Sequence, residues 1–432
     1  MTTLRIAGGR VLHPDVSVSE SDVLVDGESG EILDVGEDVE AADETLNAEG
    51  CLVMPGLVNA HCHAAMTLLR GYADDKPLES WLREDVWPVE AELTGEDVRV
   101  GTELALVELI KAGTTAFADM YFEMPEVAEA VKEAGLRARL GHGVVGVGKE
   151  EDAARADHEE SLAFAREYDG YADGRIRTVY APHSLTTVDE DLLREYVPKA
   201  REAGVALHYH ANETADEVAP IVEEHDERPL EYADDLGMLG DADFLAHGVH
   251  SDADEVALLA ERGTAVVHCP ASNMKLASGA APIPAYREAG VTVALGTDGA
   301  ASNNDLDLFD EMRDAAMLGK HAANDASAVP AEAVVEMATV GGADALGIDA
   351  GRIEPGRKAD LAVVDFETAH LTPTHDAVSH LAYAARGSDV RHTVCDGDVL
   401  MRDGEVTVLD EAAVRARAQR HAEELVARAE RE

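Results

Sequence analysis

Eight apolar strand candidates, each followed by a helical segment, fill the middle of the chain and constrain its fold more than any other feature. The candidates span residues 51–63, 114–122, 137–145, 175–185, 205–214, 242–250, 264–273 and 291–300. Strands that alternate with helices are typical of parallel βαβ units. Eight such units predict an α/β fold, a (β/α)8 TIM-type barrel, which typically needs about 250 residues. A doubly wound open sheet is the alternative, although it does not usually need eight consecutive parallel strands.

Both ends of the chain differ from the middle, because their sequences predict short strands joined by tight turns. The C-terminal part closes with a charged helical segment over residues 411–432. Neither end is long enough to bury a core alone. We therefore expect a small β-sandwich domain formed by residues 1–54 and 352–432, beside a catalytic barrel domain of residues 55–351.

The charge balance excludes several partners. The chain carries 87 Asp and Glu residues against 35 Lys and Arg residues, a formal net charge of −52. Such a surface repels phosphate groups, so we expect neither nucleic acid nor an anionic membrane as a partner. The acids are scattered between regular apolar segments, which argues against disorder. With only eight lysines, the composition indicates a halophilic source, where salt screens the self-repulsion.

The cysteines and the apolar segments indicate the compartment. Cys51, Cys62, Cys269 and Cys395 are dispersed and form no CxxC pair, which favours buried thiols in a reducing cytoplasm. The first residues alternate as in a strand rather than as in a signal peptide. The sequence contains no run of about 18 apolar residues, so we expect no membrane-spanning helix.

Histidines and an aspartate fall repeatedly at the ends of the predicted strands. In chain order these residues are His61 and His63, His183, His208 and His210, His247, His268, and Asp298. In a barrel of this kind the catalytic groups sit at the carboxyl ends of the strands. Packing alone does not explain histidine at so many of these positions.

The "HCH" pair at the first strand end could be half of a metal site or two ordinary polar residues. Residues i and i+2 of a strand face the same side, so His61 and His63 can both point into the barrel mouth while Cys62 points into the core. Imidazoles together with a carboxylate suit a divalent metal, and a coordination position left for water marks a catalytic site. The metal interpretation gains weight from His210 and Asp298 at other strand ends.

Five sequence blocks carry a resemblance over nearly the whole chain. They are "PGLVNAHCHAAMTLLRGYADD", "HYHANET", "LAHGVH", "HCPASNMKLASG" and "GTDGAASNNDLDLFDEMR". In this order they resemble the amidohydrolase superfamily, and more closely its 5-methylthioadenosine/S-adenosylhomocysteine deaminases. The resemblance implies a metal-dependent hydrolytic deaminase that converts 5′-substituted adenosines to inosine analogues and ammonia. The combined signature of the other type of zinc deaminase, H-x-E followed by P-C-x-x-C, is absent, since the sequence contains no P-C-x-x-C.

The resemblance also implies a ligand set. One divalent ion, usually Zn²⁺ with Fe²⁺ or Mn²⁺ as alternatives, is expected on His61, His63, His210 and Asp298. The spacing in "LHYHANE" leaves His208 and His210 both open, and the family pattern selects His210, with His208 as a supporting histidine. A single ion is expected because the fourth strand has no lysine, which in some relatives bridges two metals. His183 stands near that place.

Further roles follow from the same resemblance. Glu213 is the expected catalytic acid, Asp298 accepts a proton from the attacking water, and His247 stabilises the developing charge; Glu213 and Asp298 also contact the substrate. Glu90 is expected to bind the ribose hydroxyls, and His183 is a second substrate contact. The alternatives are a helix cap for Glu213 and a solvated helix position for Glu90.

Other residues near these motifs have plainer interpretations. Trp81 and Trp87 either wall the pocket or belong to the core. We expect His268 to be structural and His250 to lie on the surface.

Two other functions remain open at this point. One keeps the metal and the barrel but changes the substrate to a free base or a triazine, as in guanine or cytosine deaminases and chlorohydrolases. The other is a non-catalytic barrel, which need not retain all of these polar residues. A homo-oligomer is a further expectation from the resemblance, since family members are often oligomers.

The acidic composition generates a first prediction. Lowering the ionic strength from about 1 M to about 0.1 M lengthens the screening distance from about 3 Å to about 10 Å, so repulsion between the acids should destabilise the fold. We expect the melting temperature and the activity to fall together over this range. Full retention of both at low ionic strength would contradict the halophilic interpretation.

Overall fold

The computed structural model describes residues 3–431 and shows an α/β protein. The N-terminal part contributes seven short strands before the first central strand. They are β1 (Thr3–Ala7), β2 (Arg10–Leu12), β3 (Val18–Glu20), β4 (Asp22–Asp26), β5 (Ile32–Gly36), β6 (Glu44–Asn47) and β7 (Cys51–Pro55).

Nine strands form the centre of the molecule. They are β8 (Leu57–Cys62), β9 (Thr114–Tyr121), β10 (Arg137–Val144), β11 (Ile176–Thr178), β12 (Ala181–Pro182), β13 (His208–Ala211), β14 (Phe244–His247), β15 (Ala265–His268) and β16 (Val293–Leu295). Every pairing between them is parallel. They form two arrays, β8 to β12 and β13 to β16.

The two arrays adjoin on both sides. Parallel bridges join Tyr180 to Leu207 and Ser184 to His210. On the other side, the Asp298 amide donates to the His61 carbonyl at 3.0 Å. Gly296 allows this approach, because a Cβ atom there would lie 2.8 Å from the His61 carbonyl oxygen. The centre is therefore TIM-barrel-like, as the alternation of strands and helices predicted.

The first strand candidate, residues 51–63, is wrong as a single strand. It breaks at Gly56 into β7 and β8, which belong to different sheets. A Cβ atom at Gly56 would lie 2.2 Å from the Thr115 hydroxyl oxygen, so only glycine fits where the chain crosses between them. The fourth candidate, residues 175–185, likewise forms two short strands, β11 and β12. The end of the seventh candidate, residues 270–273, belongs to a helix.

Sixteen helices are found in the described part of the chain. They are α1 (Leu78–Trp81), α2 (Trp87–Glu90), α3 (Gly95–Lys111), α4 (Met124–Ala134), α5 (Glu151–Tyr168), α6 (Glu190–Glu202), α7 (Ala215–His225), α8 (Pro229–Asp235), α9 (Ala253–Arg262), α10 (Pro270–Lys275), α11 (Ile283–Ala289), α12 (Leu308–Ala323), α13 (Ala331–Ala338), α14 (Val340–Leu346), α15 (Ala377–Tyr383) and α16 (Glu411–Ala429). A π-helical turn, Leu82–Val86, joins α1 to α2, and 3-10 turns span Ala64–Leu69, Ala369–Leu371 and Gly387–Asp389. Among residues 3–431, no helix is long and apolar enough to cross a membrane.

The chain ends share one sheet. The C-terminal part adds β17 (Leu361–Asp365), β18 (Val390–Cys395), β19 (Asp398–Arg402) and β20 (Glu405–Val406). A seven-stranded sheet has the order β20-β19-β18-β17-β7-β2-β3, and a four-stranded sheet has the order β5-β4-β1-β6. The antiparallel pairing of β17 with β7 thus joins the two ends of the chain within the seven-stranded sheet.

A buried ion pair ties the C-terminal strands to the centre. Arg137, at the start of β10, donates to Asp360 at 2.8 Å and to Asp396 at 2.7 Å. The side chain of Asp360 is completely buried, so removing its partner would leave an uncompensated charge. This pair fixes the start of β10 against the sheet that the chain ends build.

Candidate metal centre and catalytic cavity

Four side chains meet at the carboxyl end of the central strands. His61, His63, His210 and Asp298 each offer one ligand atom, and these atoms all lie within 4.8 Å of one another. The Oδ1 atom of Asp298 is 3.2 Å from Nε2 of His63 and 3.5 Å from Nε2 of His61. The structure thus brings together the four residues that the sequence motifs singled out.

Backbone carbonyls orient two of the histidines. Nδ1 of His63 lies 2.6 Å from the Met120 carbonyl oxygen, and Nδ1 of His210 lies 2.7 Å from the His183 carbonyl oxygen. A carbonyl oxygen only accepts, so each Nδ1 must carry the hydrogen. When each ring is neutral, its lone pair is then on Nε2, the atom that faces the cluster. Burial acts to lower the pKa of His63, but its contacts with Asp298 raise it to about 9, so this ring gives up a proton when it binds an ion.

His208 orients the third histidine through a relay. Its Nδ1 donates to the Phe244 carbonyl at 3.0 Å, so its Nε2 can only accept. Nδ1 of His61 lies 2.8 Å from that Nε2 and is therefore the donor. This leaves the lone pair of His61 on Nε2 as well. His208 itself stays outside the ligand cluster.

Asp298 accepts hydrogen bonds from neighbouring donors through both of its oxygens. Its Oδ2 accepts from the hydroxyls of Ser272 (2.7 Å) and Ser302 (2.8 Å), and its Oδ1 accepts from the Gly299 amide at 2.8 Å. Burial acts to raise the pKa of Asp298, but the contacts with His61 and His63 hold it well below its usual range. The carboxylate is therefore ionised and fixed.

The donor set fits a divalent cation. Nε2 of His61 is completely buried and has no hydrogen-bond partner within residues 3–431, and an unpaired buried nitrogen is costly. Burial lowers the pKa of His61 and of His210, which keeps both rings neutral as ligands require. Three imidazole nitrogens and one carboxylate match the ligand preference of Zn²⁺.

Glu213 lies beside this cluster at the start of the segment after β13. Burial, together with the charges of Asp298 and Glu217, raises the pKa of Glu213 well above its usual range. Its backbone amide donates to Oε2 of Glu217 at 2.8 Å. The N-cap of α7 is Thr214, whose side chain accepts from the Glu217 amide, so the Glu213 carboxyl is not used as a cap. It is a buried, protonated acid in the cavity.

His247 ends β14 and faces Glu213. Its Nε2 lies 3.7 Å from Oε2 of Glu213. The Asn273 side-chain amide donates to its Nδ1 at 3.0 Å, which leaves the hydrogen on Nε2. Burial lowers the pKa of His247 to about 3, so the ring is neutral. His247 and Asp298 both have positive φ, +76° and +61°, a strained backbone that is common at functional sites.

A cavity of about 880 Å³ opens above the cluster. The residues from the sequence motifs that line it are His63, Glu90, His183, His210, Glu213, His247 and Asp298, and both tryptophans, Trp81 and Trp87, contribute to its wall. The expectation that His250 lies on the surface is wrong, because His250 lines this cavity and its Nε2 bonds to the Ser278 carbonyl. His268 and Cys62 are buried but belong to neither the cluster nor the cavity lining.

A tyrosine side chain holds the carboxylate of Glu90 in place. The Tyr121 hydroxyl donates to Oε1 of Glu90 at 2.6 Å. Burial raises the pKa of Glu90 to about 7, against the lowering effect of that hydrogen bond. His183, on another wall of the cavity, bonds to the Thr187 hydroxyl at 3.0 Å, and burial lowers its pKa to about 4.

The π-helical turn before α2 has a cause in the sequence. Pro88 has no amide hydrogen, and in a regular helix its ring would clash with the carbonyl four residues back, that of Glu84. The Trp87 amide instead donates to the carbonyl of Leu82, five residues back. Such widened turns occur often at functional sites. This one precedes Glu90 by a few residues and so helps to set its direction.

Several side chains of the site were not predicted. Tyr121, Ser272, Asn273, Ser302 and Glu217 orient the residues that the motifs identified. Tyr121 carried a signal, since it ends the second strand just as the histidines end theirs. Ser272 and Asn273 lie on the short helix α10 and Ser302 lies in a turn, and only the fold shows which atoms they reach.

Comparisons with known proteins bear on this site. A sequence profile of the amidohydrolase family matches residues 52–400. Over 427 residues, 99% of each chain, the protein is 70% identical to a 5-methylthioadenosine/S-adenosylhomocysteine deaminase of the halophilic archaeon Halobacterium salinarum. Over 419 residues, 96% of each chain, it is 49% identical to a 5′-deoxyadenosine deaminase of Methanosarcina mazei. It is also similar to the crystal structure of an adenosine deaminase from Xanthomonas campestris with bound zinc, with a TM-score of 0.93, 38% identity and 99% coverage of each chain.

The His208 relay generates a prediction. His208→Phe keeps a ring stacked on Phe244, whose centroid lies 4.1 Å away, but removes the acceptor that orients His61. We expect zinc affinity to fall by about 10- to 100-fold, measured by competition with a chromophoric chelator. His250→Ala is the matched control, since His250 lies in the cavity without touching a ligand. Unchanged affinity in His208→Phe would contradict the relay.

Proposed function

The chain belongs to the amidohydrolase family, and from this premise we infer that its cavity is the active site of a zinc-dependent hydrolytic deaminase. The substrates are 5′-substituted adenosines, 5-methylthioadenosine and S-adenosylhomocysteine, with 5′-deoxyadenosine and adenosine in the same class. The products are the corresponding inosine analogues and ammonia. The family predicted from the sequence motifs is thereby confirmed. One observation carries the proposal: a three-histidine, one-aspartate cluster, a protonated glutamic acid and a tyrosine-anchored carboxylate share one cavity.

We propose that His61, His63, His210 and Asp298 hold the zinc ion. When bound, zinc lowers the pKa of water towards neutrality and so supplies a nucleophile. The preset Nε2 lone pairs of the three histidines support this assignment, because no ring has to turn or change tautomer to bind. The Asp298 carboxylate, fixed by two serines, completes the set.

The protein's own groups divide the proton transfers between them. Asp298 is ionised and accepts the proton of the attacking water. Glu213 is protonated and gives its proton to the ring nitrogen beside C6, which makes that carbon more electrophilic. As the water oxygen bonds to C6, neutral His247 donates from Nε2 and stabilises the charge on that oxygen. The Glu213 carboxylate then takes the proton of the hydroxyl on C6, which restores its acid form, while the proton held by Asp298 is passed to the amine. The bond from C6 to nitrogen breaks, and ammonia leaves.

Glu90 and His183 would bind the ribose. The Tyr121 hydroxyl uses one oxygen of the Glu90 carboxylate, which leaves the other oxygen as an acceptor for a ribose hydroxyl. A buried acceptor without its donor is penalised, so the site would reject substrates that lack the hydroxyls. Trp81 and Trp87 supply apolar surface beside them.

This pairing argues against a free base or a triazine as the substrate. Neither has a ribose hydroxyl to satisfy Glu90, and burial of a carboxylate with no substrate partner would only cost free energy. The nucleoside is therefore the favoured substrate class. A non-catalytic barrel would have no reason to orient three histidines and an aspartate towards one point.

We further propose the setting in which the enzyme works. The central strands would close into a (β/α)8 barrel over residues 55–351, with residues 1–54 and 352–432 forming a β-sandwich domain, and the enzyme would be a homo-oligomer. A crystal structure tests the first two statements, and light scattering tests the third. The buried free thiols of all four cysteines support a reducing, cytoplasmic location, which thiol trapping in cells would check.

The acid role of Glu213 gives a prediction for turnover. Glu213→Gln keeps the shape but cannot donate the proton, so kcat for ammonia release from 5-methylthioadenosine should fall by about 10²- to 10⁴-fold. Zinc content should not change, because Glu213 lies outside the ligand cluster. The measurement is an ammonia-release screen of purine nucleosides and free bases, in high salt with added zinc. Glu223→Gln, an exposed position on α7, is the control. Failure of every purine to release ammonia would refute the proposed function.

The Glu90 assignment gives a prediction for selectivity. Glu90→Ala should lower kcat/KM for 5-methylthioadenosine by about 10- to 100-fold, the value of one or two charged hydrogen bonds. The activity on 2′,3′-dideoxyadenosine, which lacks both hydroxyls, should stay unchanged. Glu84→Ala, on the same segment and largely exposed, should affect neither substrate. An equal loss on both substrates in Glu90→Ala would count against ribose recognition.

A further inference from the structure

The C-terminal helix α16 carries one continuous stripe of inward residues. Val414, Ala418 and Leu425 are buried, and His421 and Arg428 fall on the same stripe at helical spacing. The helix packs on α3, on α2 and on the 3-10 turn Ala64–Leu69. It therefore contacts the segment that follows the metal-ligating histidines and the short helix that ends at Glu90.

Asp97 is the polar centre of this contact. It is 1% exposed, and its carboxylate accepts from the Thr94 amide (2.9 Å) and the Thr94 hydroxyl (2.6 Å) at the start of α3. From α16 it also accepts from His421 Nδ1 at 2.8 Å and from Arg428 Nη2 at 2.5 Å. The start of α3 and the end of α16 are thus joined through one buried carboxylate.

Arg428 also reaches past Asp97 to the turn between α2 and α3. Its Nη2 and Nε lie 3.1 Å and 3.3 Å from the Glu92 carbonyl oxygen. The backbone forms a tight turn here. The amides of Glu92 and Leu93 donate to the carbonyls of Val89 and Glu90, each at 3.1 Å. A guanidinium that fixes the Glu92 carbonyl therefore fixes the backbone that carries Glu90.

We propose that Arg428 is a positioning residue for nucleoside recognition: from the C-terminal helix, it holds the turn after α2 so that Glu90 stays at its place in the cavity. The side chain of Glu90 is fixed by Tyr121, and its backbone is fixed by Arg428 through Glu92. This inference rests on the proposed role of Glu90 in ribose binding. It assigns to the last helix of the chain a part in substrate selection, although that helix contributes no residue to the cavity.

The test compares two substrates in the full-length, zinc-loaded enzyme at high salt. Arg428→Ala should raise KM for 5-methylthioadenosine by up to about a hundredfold, the cost of a misplaced binding group, while kcat stays near the wild-type value. Activity on 2′,3′-dideoxyadenosine should not change. Arg415→Ala removes the same charge from an exposed position on the same helix and should leave both substrates unaffected.

A double-mutant cycle separates positioning from general destabilisation. If Arg428 acts through Glu90, Arg428→Ala should cause no further loss in a Glu90→Ala background. Additive losses, or an equal loss on the substrate without hydroxyls, would overturn the inference. If Glu90→Ala alone shows no selectivity for the ribose hydroxyls, the proposed role of Glu90 fails instead, and the two failures are distinguished.

Arg428→Lys keeps the test decisive if the alanine variant does not fold. A lysine retains the charge beside Asp97 but cannot give the Glu92 carbonyl two donors from one planar group. The expected result is a smaller rise in KM with the same substrate selectivity and an unchanged melting temperature. A lysine variant with wild-type KM for 5-methylthioadenosine would refute the role of the Glu92 contact.

Discussion

Three buried imidazoles present their Nε2 lone pairs to one point because each Nδ1 is committed to a hydrogen bond elsewhere. The acceptors are the Met120 carbonyl, the His183 carbonyl and the ring of His208, which in turn donates to Phe244. All of these acceptors belong to other strands or strand ends. The tautomers are therefore a property of the strand arrangement, and any shift between neighbouring strands would disturb the metal centre.

Neighbouring buried groups of the site have opposite protonation states. Asp298 is ionised because two histidines outweigh its burial, whereas Glu213 is protonated because burial and the charges of Asp298 and Glu217 favour its neutral form. His247 is neutral for the same reason of burial. The site thus holds a base, an acid and a neutral donor at one pH, the separation of pKa values that acid–base catalysis requires. All three groups are buried, so their protonation states differ because of the groups that they contact and not because of their depth of burial.

The sequence predicted the strand ends well, because a histidine at the end of a strand is visible as a local pattern. It therefore pointed to His61, His63 and Asp298 and left His208 and His210 both open, and the family motifs selected His210 and supplied the expected roles of Glu213 and Glu90. The break at Gly56 was missed because an uninterrupted apolar run does not show which sheet each half joins. Tyr121 and Ser272 were missed for another reason: they act on residues that are distant in the chain, and no local period records such contacts.

The four ligands are also far apart in the order of synthesis. His61 and His63 emerge early, whereas Asp298 closes the set only when the last central strand has been made, and the helix that carries Arg428 follows later still. Since domains fold as units and the N-terminal part emerges first, a nascent chain presents the histidine pair long before the aspartate exists. The complete set of four residues is therefore absent while the first central strands form. A chain that ends before Asp298 would lack both the full set and the C-terminal helix, and one that ends after it would lack only the helix.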